Sequence, residues 1–163
     1  PTPSTQPTPS AKPTPVPQKK GTKLTKSGVT YQVTKSGAKE GCVAYTKAKK
    51  NVKGSVTIPA TVTIDGVTYK VTSVAANAFK GNKKITKVTI GKNVTSIGKE
   101  AFAKDKALKK IVIKSSRLKK VGKNAIKGIS GKAKISCGKK NVTAYKKLFN
   151  GKTGYVKSMK ITK

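Results

Sequence analysis

The sequence has no histidine and no tryptophan, and only four of its 163 residues are acidic. Histidine is the side chain that most often exchanges protons near neutral pH, so its absence removes the commonest general base. The four carboxylates belong to Glu40, Asp65, Glu100 and Asp105. We expect isolated carboxylates on a cationic surface to stay ionised, and we therefore predict no catalytic residue.

Metal-binding patterns and long apolar runs are also missing. The two cysteines, Cys42 and Cys137, are far apart in the chain, and without histidine they do not have the spacing of a zinc site. We predict no metal and no cofactor. No run of 18 apolar residues occurs, so no membrane-spanning helix is predicted. The chain starts at Pro1 without a leader sequence, and we expect it to be a piece of a longer or processed protein.

Positive charge is the most abundant feature. Lysine and arginine total 38, only Arg117 is an arginine, and the formal net charge is +34. Soluble surfaces normally mix both signs of charge at a much lower net value. Self-repulsion at this net charge weakens the compact state unless counter-ions or a polyanionic partner offset it. The composition therefore favours polyanion binding, with charge kept only for solubility as the alternative.

Residues 1–20 differ from the rest of the chain. Seven of the eight prolines lie between Pro1 and Pro17, among threonine, serine and glutamine. Such a segment has too few apolar residues to offset the entropy lost on ordering, and proline favours an extended coil. We predict a disordered linker here, joining the following domain to an upstream domain of the same longer chain, with a disordered tail as the alternative.

One unit of 23 residues occurs twice between Val71 and Ser116. The first copy begins Val71-Thr-Ser-Val and contains Phe79, and the second begins Val94-Thr-Ser-Ile and contains Phe102. Periods of 20–29 residues with Leu-x-x-Leu-x-Leu spacing are typical of leucine-rich repeats, whose units bury their apolar faces by stacking. The repeat predicts a β-rich α/β solenoid, built as a short leucine-rich repeat stack.

The Ala-Phe pair at Phe79 and the Ile-x-x-Val-x-Ile spacing of residues 85–90 resemble the BspA-like (type-5) leucine-rich repeats of bacterial surface proteins. The resemblance covers about residues 53–135 and is to the form found as a C-terminal module of secreted Gram-positive proteins. It implies attachment or adhesion at the cell surface. It also implies no catalytic residues, because the family motif consists of core positions.

Caps are predicted at both ends of the repeats at 54–137. Alternating apolar residues in 21–53 predict an N-terminal β-hairpin cap, and Asp65-Gly66 predicts a two-residue hairpin turn. In the C-terminal cap, 138–163, we expect Asn141 to cap a helix over 142–150 and a strand to follow over 155–161.

Stacking of the units predicts columns of core residues. The predicted core comprises Val74, Phe79, Val88, Ile90, Ile97, Phe102, Ile111, Ile113, Ile135 and Cys137. Because side chains alternate along a strand, Lys87, Lys110 and Lys134 should form an outward ladder on the sheet face. Several rungs of about 4.8 Å separate Cys42 from Cys137, which exceeds the roughly 7 Å span of a disulfide.

The ligand predicted from this surface is an extended polyanion. The predicted binding residues are Lys87, Lys109, Lys110, Lys119, Lys120 and Lys134. Lysines act as point charges, whereas a forked site for one particular anion favours arginine. With the linker and the surface-repeat resemblance, this predicts attachment of a secreted protein to anionic, teichoic acid-like cell-wall polymers or polysaccharide of a Gram-positive bacterium. We expect a monomer, and no motif for nucleic acid is present.

Two other functions stay open from the sequence. A carbohydrate-binding module for neutral glycans would stack sugars on exposed aromatic rings, and Tyr31, Tyr45, Tyr69 and Tyr155 are the candidates. A protein-adhesion repeat domain follows from the resemblance alone.

Overall fold

The computed structural model describes residues 14–163, which form two β-sheets around one apolar core. Residues 1–13, the larger part of the predicted linker, lie outside the described residues. In the part of that segment that is described, the backbone N–H of Gln18 donates a hydrogen bond to the Tyr69 hydroxyl at 2.9 Å. The chain therefore contacts the folded body before the linker was predicted to end.

Strands dominate the described part of the chain, and only one α-helix occurs there. The strands are β1 (Lys23–Lys26), β2 (Val29–Lys35), β3 (Cys42–Lys47), β4 (Gly54–Ile58), β5 (Thr61–Ile64), β6 (Val67–Val74), β7 (Ile85–Ile90), β8 (Ser96–Ile97), β9 (Lys110–Ile113), β10 (Lys120–Val121), β11 (Lys134–Cys137) and β12 (Lys160–Thr162). The helix is α1 (Val142–Leu148), and 3₁₀ turns cover Lys139–Asn141 and Gly151–Thr153.

The two sheets differ in strand direction. The parallel sheet has the order β12-β11-β9-β7-β4, and every pair in it is parallel. The mixed sheet has the order β1-β2-β3-β6-β8-β10, with β5 also paired to β6. Its parallel members β6, β8 and β10 come from successive units, so each repeat contributes one strand to each sheet.

Equivalent residues of successive units are register partners in the parallel sheet. Val88 pairs with Ile111 and Ile111 with Ile135, while Ile90 pairs with Ile113 and Ile113 with Cys137. All ten residues of the predicted core are buried. The pairing arises because alternation along each strand places the same apolar positions on the inner face in every unit.

The turns between units also hydrogen-bond to one another. The backbone N–H of Phe79 donates to the carbonyl of Ala101, and that of Phe102 donates to the carbonyl of Ala125, both at 2.8 Å. The rings of Phe79 and Phe102 stack with centroids 5.1 Å apart. Each unit is thus held to the next on the loop side as well as through the sheets.

Both predicted hairpins are present in the mixed sheet. Strands β2 and β3 pair antiparallel, as do β5 and β6. At the β5–β6 turn Asp65 and Gly66 have φ of 49° and 77°, the positive values that a type I′ turn requires. Strand β1 was not predicted, although Ser27-Gly28, with φ of 51° and 79°, forms the same kind of turn before β2.

The C-terminal segment departs from the prediction in its boundaries. The helix α1 ends at Leu148 rather than at residue 150, and Asn141 occupies its N-cap position without a side-chain capping hydrogen bond. The last strand covers only Lys160–Thr162, not 155–161. This strand pairs with β11 in the repeat register, Ile161 beside Ile135, so the segment adds a further rung to the parallel sheet.

The two cysteines lie apart in the structure, and both are free thiols. Cys137 is buried at the end of an apolar column, and Cys42 is half-buried in β3.

Glycines occupy the points where successive units come closest. A Cβ atom added at Gly98 would lie 2.5 Å from the backbone nitrogen of Ala76, and one at Gly122 would lie 2.5 Å from that of Lys99. We expect Gly98→Ala to lower the free energy of unfolding by about 1–3 kcal/mol, because the neighbouring backbone must move to admit the methyl group. Urea unfolding followed by circular dichroism measures this change.

Gly131→Ala is the matched control. A Cβ atom there would meet only the Ser158 Oγ, at 3.6 Å, so we expect a change within about 0.5 kcal/mol. Equal effects of the two alanines would contradict the close approach of units at Gly98.

Candidate functional site

Within residues 14–163, no group of three histidine, cysteine, aspartate or glutamate side chains is placed to hold a metal ion. The search for a helix of sufficient length and hydropathy to cross a membrane, made over the same residues, finds none. Lysine is by far the most abundant charged residue of the chain, and its ammonium groups are the main candidates for binding.

Most carboxylates are engaged away from the parallel sheet. Glu40 forms an ion pair with Lys70 at 3.2 Å, and Glu100 forms one with Lys80. The hydrogen bond from Lys80, and the charges of nearby lysines, hold the pKa of Glu100 below its usual value. Asp65 lies in the β5–β6 turn. In the part of the chain that the structure describes, no strand of the parallel sheet contains an acidic residue.

Asp105 corrects the expectation that every carboxylate stays ionised. Its side chain is fully buried, and Oδ1 accepts a hydrogen bond from the backbone N–H of Asn82 at 2.7 Å. Its Oδ2 has no hydrogen-bond partner among the described residues. Burial raises the pKa of Asp105 to about 8, since desolvation outweighs the backbone hydrogen bonds that lower it. Asp105 therefore keeps its proton to a higher pH than an exposed aspartate does, and its side chain is not part of the surface.

The lysine ladder crosses the outer face of the parallel sheet. Lys87 pairs in register with Lys110, Lys110 with Lys134, and Lys134 with Lys160. Lys110, Lys134 and Lys160 are exposed and Lys87 is half-buried. The four residues therefore form one row, on strands that lie about 4.8 Å apart. Ser55 of β4 continues the same row.

Lys160 was missing from the ladder predicted from the sequence. The signal was available, because Lys160-Ile-Thr repeats the lysine–apolar–small pattern of Lys134-Ile-Ser and Lys110-Ile-Val. The prediction of a cap over 138–163 excludes Lys160 from the repeats and therefore from the ladder.

A second outward row consists of small residues. Thr57, Thr89, Val112, Ser136 and Thr162 are register partners beside the ladder. None of these side chains is as long as lysine, and none carries a charge. The face can accommodate an extended chain lying across the strands with one cation at each of four rungs.

The structure divides the six predicted binding lysines between two surfaces. Lys87, Lys110 and Lys134 form the ladder, and the exposed Lys109 directly precedes β9. Lys119 and Lys120 instead lie at β10 in the mixed sheet. The sequence could not separate these groups, because the assignment of each strand to a sheet follows from tertiary pairing.

Aromatic rings do not form an exposed platform in the part of the chain that the structure describes. Tyr31, Tyr45 and Tyr69 are buried. Tyr155 is half-buried, and its hydroxyl donates to the carbonyl of Met159 at 2.8 Å. Stacking of neutral sugars on these tyrosines is therefore not supported by their positions.

The profile of the BspA type leucine-rich repeat region matches residues 55–163 in six copies. This range extends beyond the resemblance seen in the sequence and includes the segment with α1 and β12. None of the curated proteins matches the chain.

Solved structures of bacterial leucine-rich repeat proteins share the fold. A leucine rich cell surface protein of Faecalibacterium prausnitzii matches with 24% identity and a TM-score of 0.57, over 72% of this chain and 37% of that protein. A leucine-rich repeat protein of Bacteroides capillosus matches with 18% identity and a TM-score of 0.61, over 86% and 98%. The pneumococcal vaccine antigen PcpA matches with 19% identity and a TM-score of 0.51, over 74% and 42%. No catalytic family is among these matches.

Proposed function

The chain belongs to the BspA type leucine-rich repeat family, and we propose that it is a non-catalytic, extracellular attachment module whose lysines bind anionic cell-wall polymers. The observation that carries the proposal is the row of four register-paired lysines on a sheet without a carboxylate. An extended polymer with repeated negative charge fits this row better than a single small anion does.

The architecture proposed for this module is a short solenoid closed at both ends. The antiparallel β1–β2–β3 segment would cap the N-terminal side, within 21–53, and the segment 138–163 would close the C-terminal side. In this arrangement the buried apolar columns hold the fold while the lysines stay free for contact with a ligand. Residues 1–20 would serve as the linker to an upstream domain.

The polymers proposed are phosphate-rich and teichoic acid-like, as in a Gram-positive envelope. At an anionic surface, each nearby lysine contributes on the order of 1 kcal/mol. A few engaged lysines then hold the module firmly, while screening by salt keeps the attachment reversible. A larger secreted protein joined to this module would be held at its cell surface without a covalent bond.

Retention on Gram-positive cell walls tests the proposal. We expect wild-type protein to sediment with purified walls at low salt, to be released by high salt, and to lose retention after the phosphate polymers are extracted. Unchanged retention on extracted walls would reject the phosphate polymer as ligand.

Charge-matched variants test the ladder itself. We expect the triple variant K87Q/K110Q/K134Q to weaken wall retention by at least about tenfold, because three cations at about 1 kcal/mol each are removed. The control is K23Q/K39Q/K49Q, which removes the same charge from exposed positions near the N-terminal end. Equal losses in the two variants would show that net charge, not the row, determines attachment.

A further inference from the structure

A second cationic surface is a cleft on the mixed sheet, beside its edge strand β10. The cleft has a volume of about 640 Å³ and lies between β10 and the segment that runs from α1 into the following 3₁₀ turn. Its charged lining consists of Lys119, Lys120, Lys123, Lys147 and Lys152, and no acidic residue of the described range 14–163 lines it. This size falls within the range of sites that bind small molecules.

Hydrogen bonds hold the far wall of the cleft in shape. The Asn150 side chain accepts from the backbone N–H of Lys152 and donates to the carbonyl of Lys147, each at 3.0 Å. The Thr153 hydroxyl and Asn150 complete a reciprocal cap, and the carbonyl of Lys152 accepts from the backbone N–H of Asn124 at 2.9 Å. The lysines of this wall therefore stand on a fixed backbone.

The repeat sequence changes to lysine where the cleft lies. The first two units have Thr72-Ser73 and Thr95-Ser96 at equivalent positions of their mixed-sheet segments, whereas the third has Lys119-Lys120. Register confirms the equivalence, since Ser73 pairs with Ser96 and Ser96 with Lys120. Two neutral positions have thus become cationic in the one unit that faces the C-terminal segment.

We propose that this cleft is a discrete binding site for a short run of phosphate groups within a polyphosphate or phosphodiester chain. Five like charges around one concavity concentrate the positive potential and need several negative charges on one ligand to balance them. Lysines supply mobile point donors, which suit phosphate oxygens presented at varied angles along a chain. The inference rests on the proposed function in taking phosphate polymers as the ligand, but it concerns a different surface.

Lysines at an edge strand have a second known use, which is to prevent another strand from pairing there. In that case Lys119 and Lys120 would keep the protein monomeric without binding a ligand. The two roles give different results when the lysines are removed.

Titration calorimetry with linear tripolyphosphate tests the site on the whole chain. We expect K120Q/K123Q/K152Q to weaken binding by at least about tenfold. The control K23Q/K39Q/K49Q makes the same change in charge at exposed positions outside both the cleft and the ladder, and we expect it to stay within about twofold of wild type. Equal weakening in both variants overturns the inference. Normal binding with self-association of the cleft variant in size-exclusion chromatography also overturns it and assigns the lysines to edge protection.

Wild-type protein gives a second measurement that does not depend on the variants folding. We expect amide resonances of residues 119–123 and 147–153 to shift on addition of tripolyphosphate, and those of the ladder strands to shift less. Shifts that spread evenly over both surfaces would refute a discrete site. If these shifts occur but cell walls do not retain the protein, the attachment proposal fails and the cleft site stands.

Discussion

Replacing Phe102 by alanine is expected to lower the free energy of unfolding by about 3–5 kcal/mol, as measured by urea unfolding. The Phe102 side chain is completely buried in the middle of the repeats, and its ring stacks on that of Phe79. Phe79 in turn stacks on Tyr45, with centroids 5.1 Å apart. Truncation therefore removes apolar contact and leaves a cavity between units that hydrogen bonds on both sides prevent from closing.

Phe102→Leu is the control for this cavity, because it keeps an apolar side chain at the position. We expect it to cost clearly less than Phe102→Ala, since most of the buried volume remains filled. A loss below about 1 kcal/mol for the alanine variant would show that the aromatic column does not hold successive units together.

Asp105→Asn is expected to raise the free energy of unfolding by about 2 kcal/mol or more at pH 8.5, with little effect at pH 4. The pKa of Asp105 is raised from 3.8 to about 8 in the folded protein, so the folded state retains a proton that the unfolded chain releases. The stability that this group contributes is fully present below pH 4 and is lost as the pH rises toward 8. The amide stays neutral at every pH and keeps an oxygen acceptor for the Asn82 N–H.

Unfolding curves of both proteins between pH 3 and pH 9 check this prediction. The difference between variant and wild type should grow with pH, and a constant difference would contradict the raised pKa of Asp105. Glu100→Gln is the control with the opposite sign. The pKa of Glu100 is lowered by Lys80, so its favourable interaction is present above pH 4.5 and is lost as the pH falls.

The burial and the protonation state of Asp105 could not be predicted from the sequence. The sequence places it among lysines, which suggested an exposed and ionised carboxylate. Its repeat equivalent, Asn82, is half-buried and uses its side chain to accept from the backbone N–H groups of Lys84 and Ile85. The repeat thus turns this position toward the body, and the local sequence does not reveal that Asp105 is completely buried beside Asn82 of the preceding unit.

The backbone conformation at the repeat turns also depends on contacts between units. Gly81 and Gly128 have φ of 76°, and Lys104, at the equivalent position of the intervening unit, has φ of 64°. A lysine in this left-handed region is locally unfavourable. It is retained because contacts with the units on either side impose the turn, including the hydrogen bond from its own N–H to the carbonyl of Lys127 at 2.8 Å.

The sequence by itself determined the repeat, the inward columns and the cationic outer row at Lys87, Lys110 and Lys134. These features follow from the two-residue alternation of a strand and from a period of 23 residues, both of which are local in the chain. Tertiary structure alone decided which lysines share a surface. In the folded protein Lys160 lies in the ladder beside Lys134, whereas Lys120 lines a separate cleft.

The physical reason is that residues on adjacent strands become neighbours through the hydrogen-bonded register between segments that are distant in the chain. Sequence spacing does not encode this register where the units become irregular. The burial of a side chain also depends on the adjacent units. Asp105 is withdrawn from solvent and Glu100 is kept near Lys80 only because of what the adjacent units place around them.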